Sequence, residues 1–315
     1  MTFSYQKQAL TIYEQVDRLI KRGLVVKDRS EAAALLEKIG YYRFSGYCIP
    51  FQISRESFHQ ETRFEDVLNL YTFDNRLRTH VFSGIEFIEI LLRAAIAYCV
   101  GHKRGAHAHY NTANFNGYFV KAEQFNYHDW LKKLENEISR SSETFVKHFK
   151  TKYPSDFPRL PIWTAVEVMS FNSLSQLFAN LVPDLQETIA RRFGVHRKPL
   201  KSWFHSLVYI RNICAHHSRL WDKEIVIKAR HPKESLSGWG STRTTPDNLF
   251  YLLCMIVWLQ KVAGEGAAWT DELSDIISQA KIADSFMLKI GLIENWRYVL
   301  KTINPQVVSL GEISL

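Results

Sequence analysis

The chain has 315 residues, 46% hydrophobic and 13% aromatic, with 40 Lys and Arg against 32 Asp and Glu for a formal charge of +8, and an isoelectric point near 9.2. That much apolar material can bury a core without disulfides or a structural metal, and Cys48, Cys99, Cys214 and Cys254 are too scattered for a Cys-x-x-Cys zinc site or a secreted disulfide scaffold. The first residues lack the apolar stretch of a signal peptide and the most apolar run, 249–259, falls short of the roughly 18 to 20 residues of a membrane span, so a cytoplasmic protein with no membrane partner is expected, its basic charge suited to a polyanion.

Nearly every strong pattern has the helical period, and no run of period-two strands stands out. Residues 5–22 place Leu10, Tyr13, Val16, Leu19 and Ile20 on one stripe, closed by Gly23. Ser30 opens a short helix through Ile39, ended by Gly40. Thr62-Arg63-Phe64-Glu65 has the form of a capping box and starts a helix to Phe73. From Asp74 to Val100, Leu77, Val81, Ile85, Ile88, Leu92 and Ile96 recur every three or four residues, which predicts the longest amphipathic helix, a central core element. Further helices are expected over 121–140, 142–152, 162–180, 184–193 and 199–217, with a Pro-rich turn from Pro154 to Pro161. Pro246 behind Thr245 resembles a first-turn proline after an N-cap, starting a helix to Val262, and 271–289 and 293–302 complete the set. The polar region 222–245, with His231-Pro232-Lys233 and Ser237-Gly238-Trp239-Gly240, is expected to be a long loop. The fold class is therefore all-α: a helical bundle over 1–225, a polar loop over 226–245, and a helical extension over 246–315 packed on the same body.

One segment combines the groups that cleavage of RNA without a metal requires. Arg211-Asn212-Ile213-Cys214-Ala215-His216-His217 follows the apolar run Trp203 to Ile210, which would position it. On a helix Asn212 and His216 share a face, and the long Arg211 side chain can swing toward it. A histidine titrating near neutrality can take the proton of a 2′-hydroxyl or return one to the leaving 5′-oxygen. A permanently charged, forked guanidinium can stabilise charge on the nonbridging oxygens. Read as plain structure, Arg211 and His216 would only cap a helix C-terminus. Spacing alone is weak in a chain with 12 His: Arg104 and His109 show it within a Gly-containing, loop-like stretch, and Arg191 and His196 show it across a helix end at Gly194.

With this segment on view, the chain resembles the AbiD/AbiF abortive-infection family, whose members belong to the HEPN superfamily. The likeness extends over Ile39-Gly40-Tyr41-Tyr42-Arg43-Phe44-Ser45-Gly46-Tyr47, Phe64 through Arg78, Ile85 through Ala94, Trp163 through Ser175 and Arg211 through Trp221. The resemblance implies a HEPN-like helical ribonuclease that stops phage spread by damaging RNA, leaving a cyclic phosphate end. It implies that Arg211 and His216 are the catalytic pair and that Asn212 is the polar residue after the Arg, with His217 as an adjacent alternative to His216. It also implies a homodimer, since HEPN sites usually face one another in pairs and the chain offers one convincing copy.

Glu86, Glu89 and Arg93 sit at spacings of three and four on one helix, as a supporting network beneath the site or as a plain salt bridge. No metal or other cofactor is expected, because no second His or Asp cluster accompanies the two carboxylates. Candidate RNA contacts are Arg43, set among aromatics that could stack bases, and the basic run Arg191, Arg192, Arg197, Lys198 and Lys201. RNA is the expected partner. The alternatives are a catalytically silent RNA-binding or phage-sensing module, and a toxin subunit held by an RNA or protein antitoxin.

Overall fold

In the computed structural model the described residues are 8–232, 245–264, 266–306 and 308–312; most of the expected polar loop, 233–244, lies outside them. Helix makes up 67% of the described residues and strand 3%, so the chain is all-α in class. It divides into two compact units, residues 1–77 with 275–287, and residues 78–274 with 288–315.

The first unit holds α1 (Ile12–Lys21), α2 (Arg29–Ile39), α3 (Tyr41–Cys48), a small antiparallel hairpin of β1 (Gln52–Ser54) and β2 (Ser57–Phe58), and the start of α4 (Phe64–Arg104). Thr11 and Glu14 form a capping box at the head of α1. Asp28, rather than Ser30, caps α2, because its carboxylate is placed to accept from both Ser30 N–H and Glu31 N–H. Val16, Leu19, Leu36, Phe44, Val67 and Leu70 fill the core of this unit. The Phe44 and Phe64 rings stack at 4.7 Å within it.

Helix α4 differs from its expected form in two ways. It runs 41 residues without the break expected at Asp74. Asp74 is a buried acceptor for the Tyr47 hydroxyl at 2.6 Å and caps nothing. The expected Thr62–Glu65 capping box is replaced by a bond from Arg63 N–H to Asp66 Oδ2 at 2.9 Å, while the Thr62 hydroxyl donates to His59 O.

The second unit contains the rest of α4, then α5 (Gly117–Lys121), α6 (Tyr127–Arg140), α7 (Thr144–Lys152), α8 (Ile162–Val168), α9 (Phe171–Asn180), α10 (Pro183–Arg192), α11 (Arg197–Ala215), α12 (Leu249–Val262), most of α13 (Gly266–Ser278) and α15 (Trp296–Thr302). The short α14 (Asp284–Leu288) falls almost wholly in the first unit. The single helix expected over 162–180 is two, since Ser170 caps α9 by accepting from Ser173 N–H. The helix expected from Pro246 starts at Leu249, where Asn248 accepts from Tyr251 N–H. All but one residue of α12 is buried, which is why that run is so apolar. Gly84 lets the Trp269 ring lie against α4, where an added Cβ would come within 2.8 Å of it. Among the described residues no helix is long and apolar enough to cross a membrane.

Candidate active site

Helix α11 carries the candidate catalytic residues and is held along its buried side by Leu200, Trp203, Phe204, Leu207 and Ile210. It packs against α9 and α10. Its carboxy end is closed by its own backbone. His216 N–H donates to Asn212 O, His217 N–H to Cys214 O and Ser218 N–H to Ile213 O, each at 3.0 Å. This is the Schellman arrangement, in which the residue after the cap adopts a left-handed conformation, usually as glycine. Here that residue is His217, with φ of +53°.

The consequence is that the carbonyls of Asn212, Ile213 and Cys214, three of the last four in the helix, already have backbone donors. The His216 imidazole is exposed and forms no hydrogen bond among the described residues. Arg211 is half-buried, with its guanidinium 5.8 Å from the Phe82 ring centroid and Nη1 donating to Asn212 Oδ1 at 3.5 Å. The structure thus brings Arg211 to Asn212, and Asn212 shares a helix face with His216, four residues on. His217 is exposed beside them.

Arg211 also lines a cavity of about 240 Å³ with Phe82, Glu86, Glu89, Ile90 and Arg93; His216 is not among its lining residues. Two of the three supporting residues have structural partners. Arg93 pairs with Glu89 and donates to Val166 O and, at 2.7 Å, to Met169 O, tying α4 to the end of α8. Glu86 is exposed, with no ion pair among the described residues.

The basic run divides by environment. Arg191 is exposed at the end of α10, and Arg192 is half-buried with Nη1 reaching Val308 O. Arg197 is committed to Glu187 at 2.8 Å and Gln186 at 3.1 Å. Lys198 and Lys201 face a larger pocket between α9 and α11, together with amides and His205 that sequence reasoning did not single out. Arg43 is exposed on α3 in the other unit.

The two competing Arg and His matches have other occupations. Arg104 pairs with Asp184 at 2.6 Å, while His109 is fully buried with neither ring nitrogen bonded. His196 is the N-cap of α11, its Nδ1 accepting from Lys198 N–H. Cysteine nucleophiles are disfavoured because all four thiols are buried, with burial pushing Cys48 up to about 12 and Cys99 to about 11. Among the described residues no three His, Cys, Asp or Glu side chains gather as a metal site would require.

No curated protein and no solved structure matches this chain. The Abi-like protein family model matches residues 34–222, a span that reaches from α2 to just beyond His217 and covers more than half of the chain. The chain belongs to the Abi-like family.

Proposed function

We propose that this protein carries out the abortive-infection role of its family as an endoribonuclease centred on Arg211, Asn212 and His216. The observation that carries the reading is the closure of α11 by its own backbone: main-chain amides take the carbonyls of Asn212, Ile213 and Cys214, so that capping them is not what the Arg211 and His216 side chains are there for. His217 supports it, because a histidine occupies a left-handed position that glycine fills at lower cost.

In the proposed reaction a histidine, His216 or the adjacent His217, takes the 2′-hydroxyl proton. The freed oxygen attacks its own phosphorus, the bond from phosphorus to the 5′-oxygen breaks, and an acid returns a proton to that oxygen. The products are a cyclic phosphate end and a 5′-hydroxyl end. Arg211 neutralises charge building on the nonbridging oxygens, and Asn212 holds its guanidinium in place. One Arg and one His on an open surface leave room for a second copy, whose own pair would supply the second proton carrier and exclude water.

The test separates chemistry from binding. Arg211→Ala and His216→Ala are expected to lower RNA cleavage by about 100-fold or more while binding a single-stranded RNA within a few-fold of wild type. Cleavage unchanged in both variants would remove the proposed site. A wild type that binds RNA but never cuts it would favour the silent binding module.

A further inference from the structure

The pocket between α9 and α11 is larger than the cavity beside Arg211, about 730 Å³, within the roughly 300–1,000 Å³ typical of small-molecule sites. One wall is the first turns of α11, which present Lys198, Lys201 and His205. The facing wall is α9, where Asn172, Gln176 and Asn180 recur every four residues and so share a face. Among the described residues no carboxylate lines it.

Most of its charge is uncompensated among the described residues. Of the four Lys and Arg residues on its walls, Arg197 is neutralised by Glu187. Lys198, Lys201 and Arg230 make no ion pair among the described residues. Desolvation, and then the charges of Arg230 and Arg197, hold the Lys201 ammonium below its usual value. Like charges gathered without a counter-charge are costly unless an anion joins them. The amino end of α11 adds positive potential on the same side.

The site is also built rather than incidental. Arg230 is fixed through its backbone, its N–H donating to Ser202 Oγ at 2.8 Å and its carbonyl accepting from Trp203 Nε1 at 2.9 Å and the Tyr251 hydroxyl at 3.2 Å. Asn116 ties the start of α5 to Asn180 at the end of α9. That places Tyr118, 87% exposed, at the rim. The Gln176 side-chain Oε1 is buried with no hydrogen-bond partner among the described residues.

We propose that this pocket receives one nucleotide, its phosphate held by Lys198, Lys201 and Arg230 and its base read by the amides of Asn172 and Gln176. Amides present both donors and acceptors to a base edge, and the exposed Tyr118 ring offers a stacking surface. The same chemistry fits a free nucleotide or one residue of an RNA strand. The site uses neither Arg211 nor His216, so it stands or falls apart from cleavage.

Calorimetric titration of the full chain tests it with the four ribonucleoside monophosphates, their nucleosides, inorganic phosphate and a short single-stranded RNA. At least one monophosphate or the RNA is expected to bind, and Lys198→Ala and Lys201→Ala each to weaken it about tenfold. Lys201→Arg should retain most of the affinity, and Gln176→Leu should alter the preference among bases. Tighter binding of a monophosphate than of the RNA assigns the pocket to a free nucleotide, and the reverse order to an RNA strand; either supports the proposal. It is overturned if nothing binds, if the lysine variants bind as wild type, or if inorganic phosphate or a nucleoside binds as tightly as the nucleotide does.

Discussion

His217 has a backbone conformation that is uncommon outside glycine, and the helix end around it is completed by main-chain bonds. His217→Gly is therefore expected to keep stability or raise it, by up to about 1 kcal/mol. His217→Val should lower it by about 1–2 kcal/mol, since β-branched residues tolerate that region least. Denaturant midpoints check both, and a large loss in the glycine variant would show that the imidazole serves the fold. His109 makes a different contribution. Burial first, then the charges of His107 and Arg159, depress it from 6.5 to about 3, so it stays neutral in the folded chain while the unfolded chain takes up a proton below about 6.5. The stability it contributes is complete above that pH and is lost as pH falls toward 3, by at most about 1.4 kcal/mol per pH unit. Unfolding measured between pH 7 and 4 should show a shallower acid slope in His109→Phe; identical slopes would mean that the ring is protonated in place. Spacing made His109 resemble a catalytic candidate; its loop-like context argued against it, and its full burial decides the matter.

Among the helices, Arg93 illustrates how a pattern on one element is decided by its neighbour. Glu86, Glu89 and Arg93 look equivalent on α4, yet Arg93 reaches two carbonyls at the end of α8 and Glu89 holds it there. Arg93→Ala should cost about 2–4 kcal/mol by leaving Glu89 and those carbonyls without their partner. Glu86→Gln should change stability by less than about 0.5 kcal/mol, and equal effects in thermal unfolding would contradict this division. The stripes from Leu77 to Ile96 and in 199–217 were legible because apolar periodicity survives any tertiary context. Element ends were not. Asp74, Thr62 and Ser170 are each plausible caps by type, but only Ser170 acts as one, and it ends the single helix expected over 162–180. The β1–β2 hairpin escaped notice because five strand residues, most of them exposed, carry no usable alternation.

At the level of the whole molecule, the all-α class could be read directly because it is a property of periodicity, and the proposed Arg211 to His217 site could be put forward from sequence because it is a local pattern at the end of one helix. The nucleotide pocket could not, since its walls come from α5, α9, α11 and the chain near Arg230, which no sequence spacing joins. If the cutting site is shared between two copies, mixing the Arg211→Ala and His216→Ala proteins should recover part of the activity that each lacks; a mixture as inactive as its components would confine the site to one copy. The most direct measurement of the central claim is incubation of the purified protein with total RNA in excess EDTA, beside His216→Ala. The account predicts fragments ending in a cyclic phosphate from the wild type and intact RNA from the variant. Equal cutting by both, or cutting that EDTA abolishes, would contradict it.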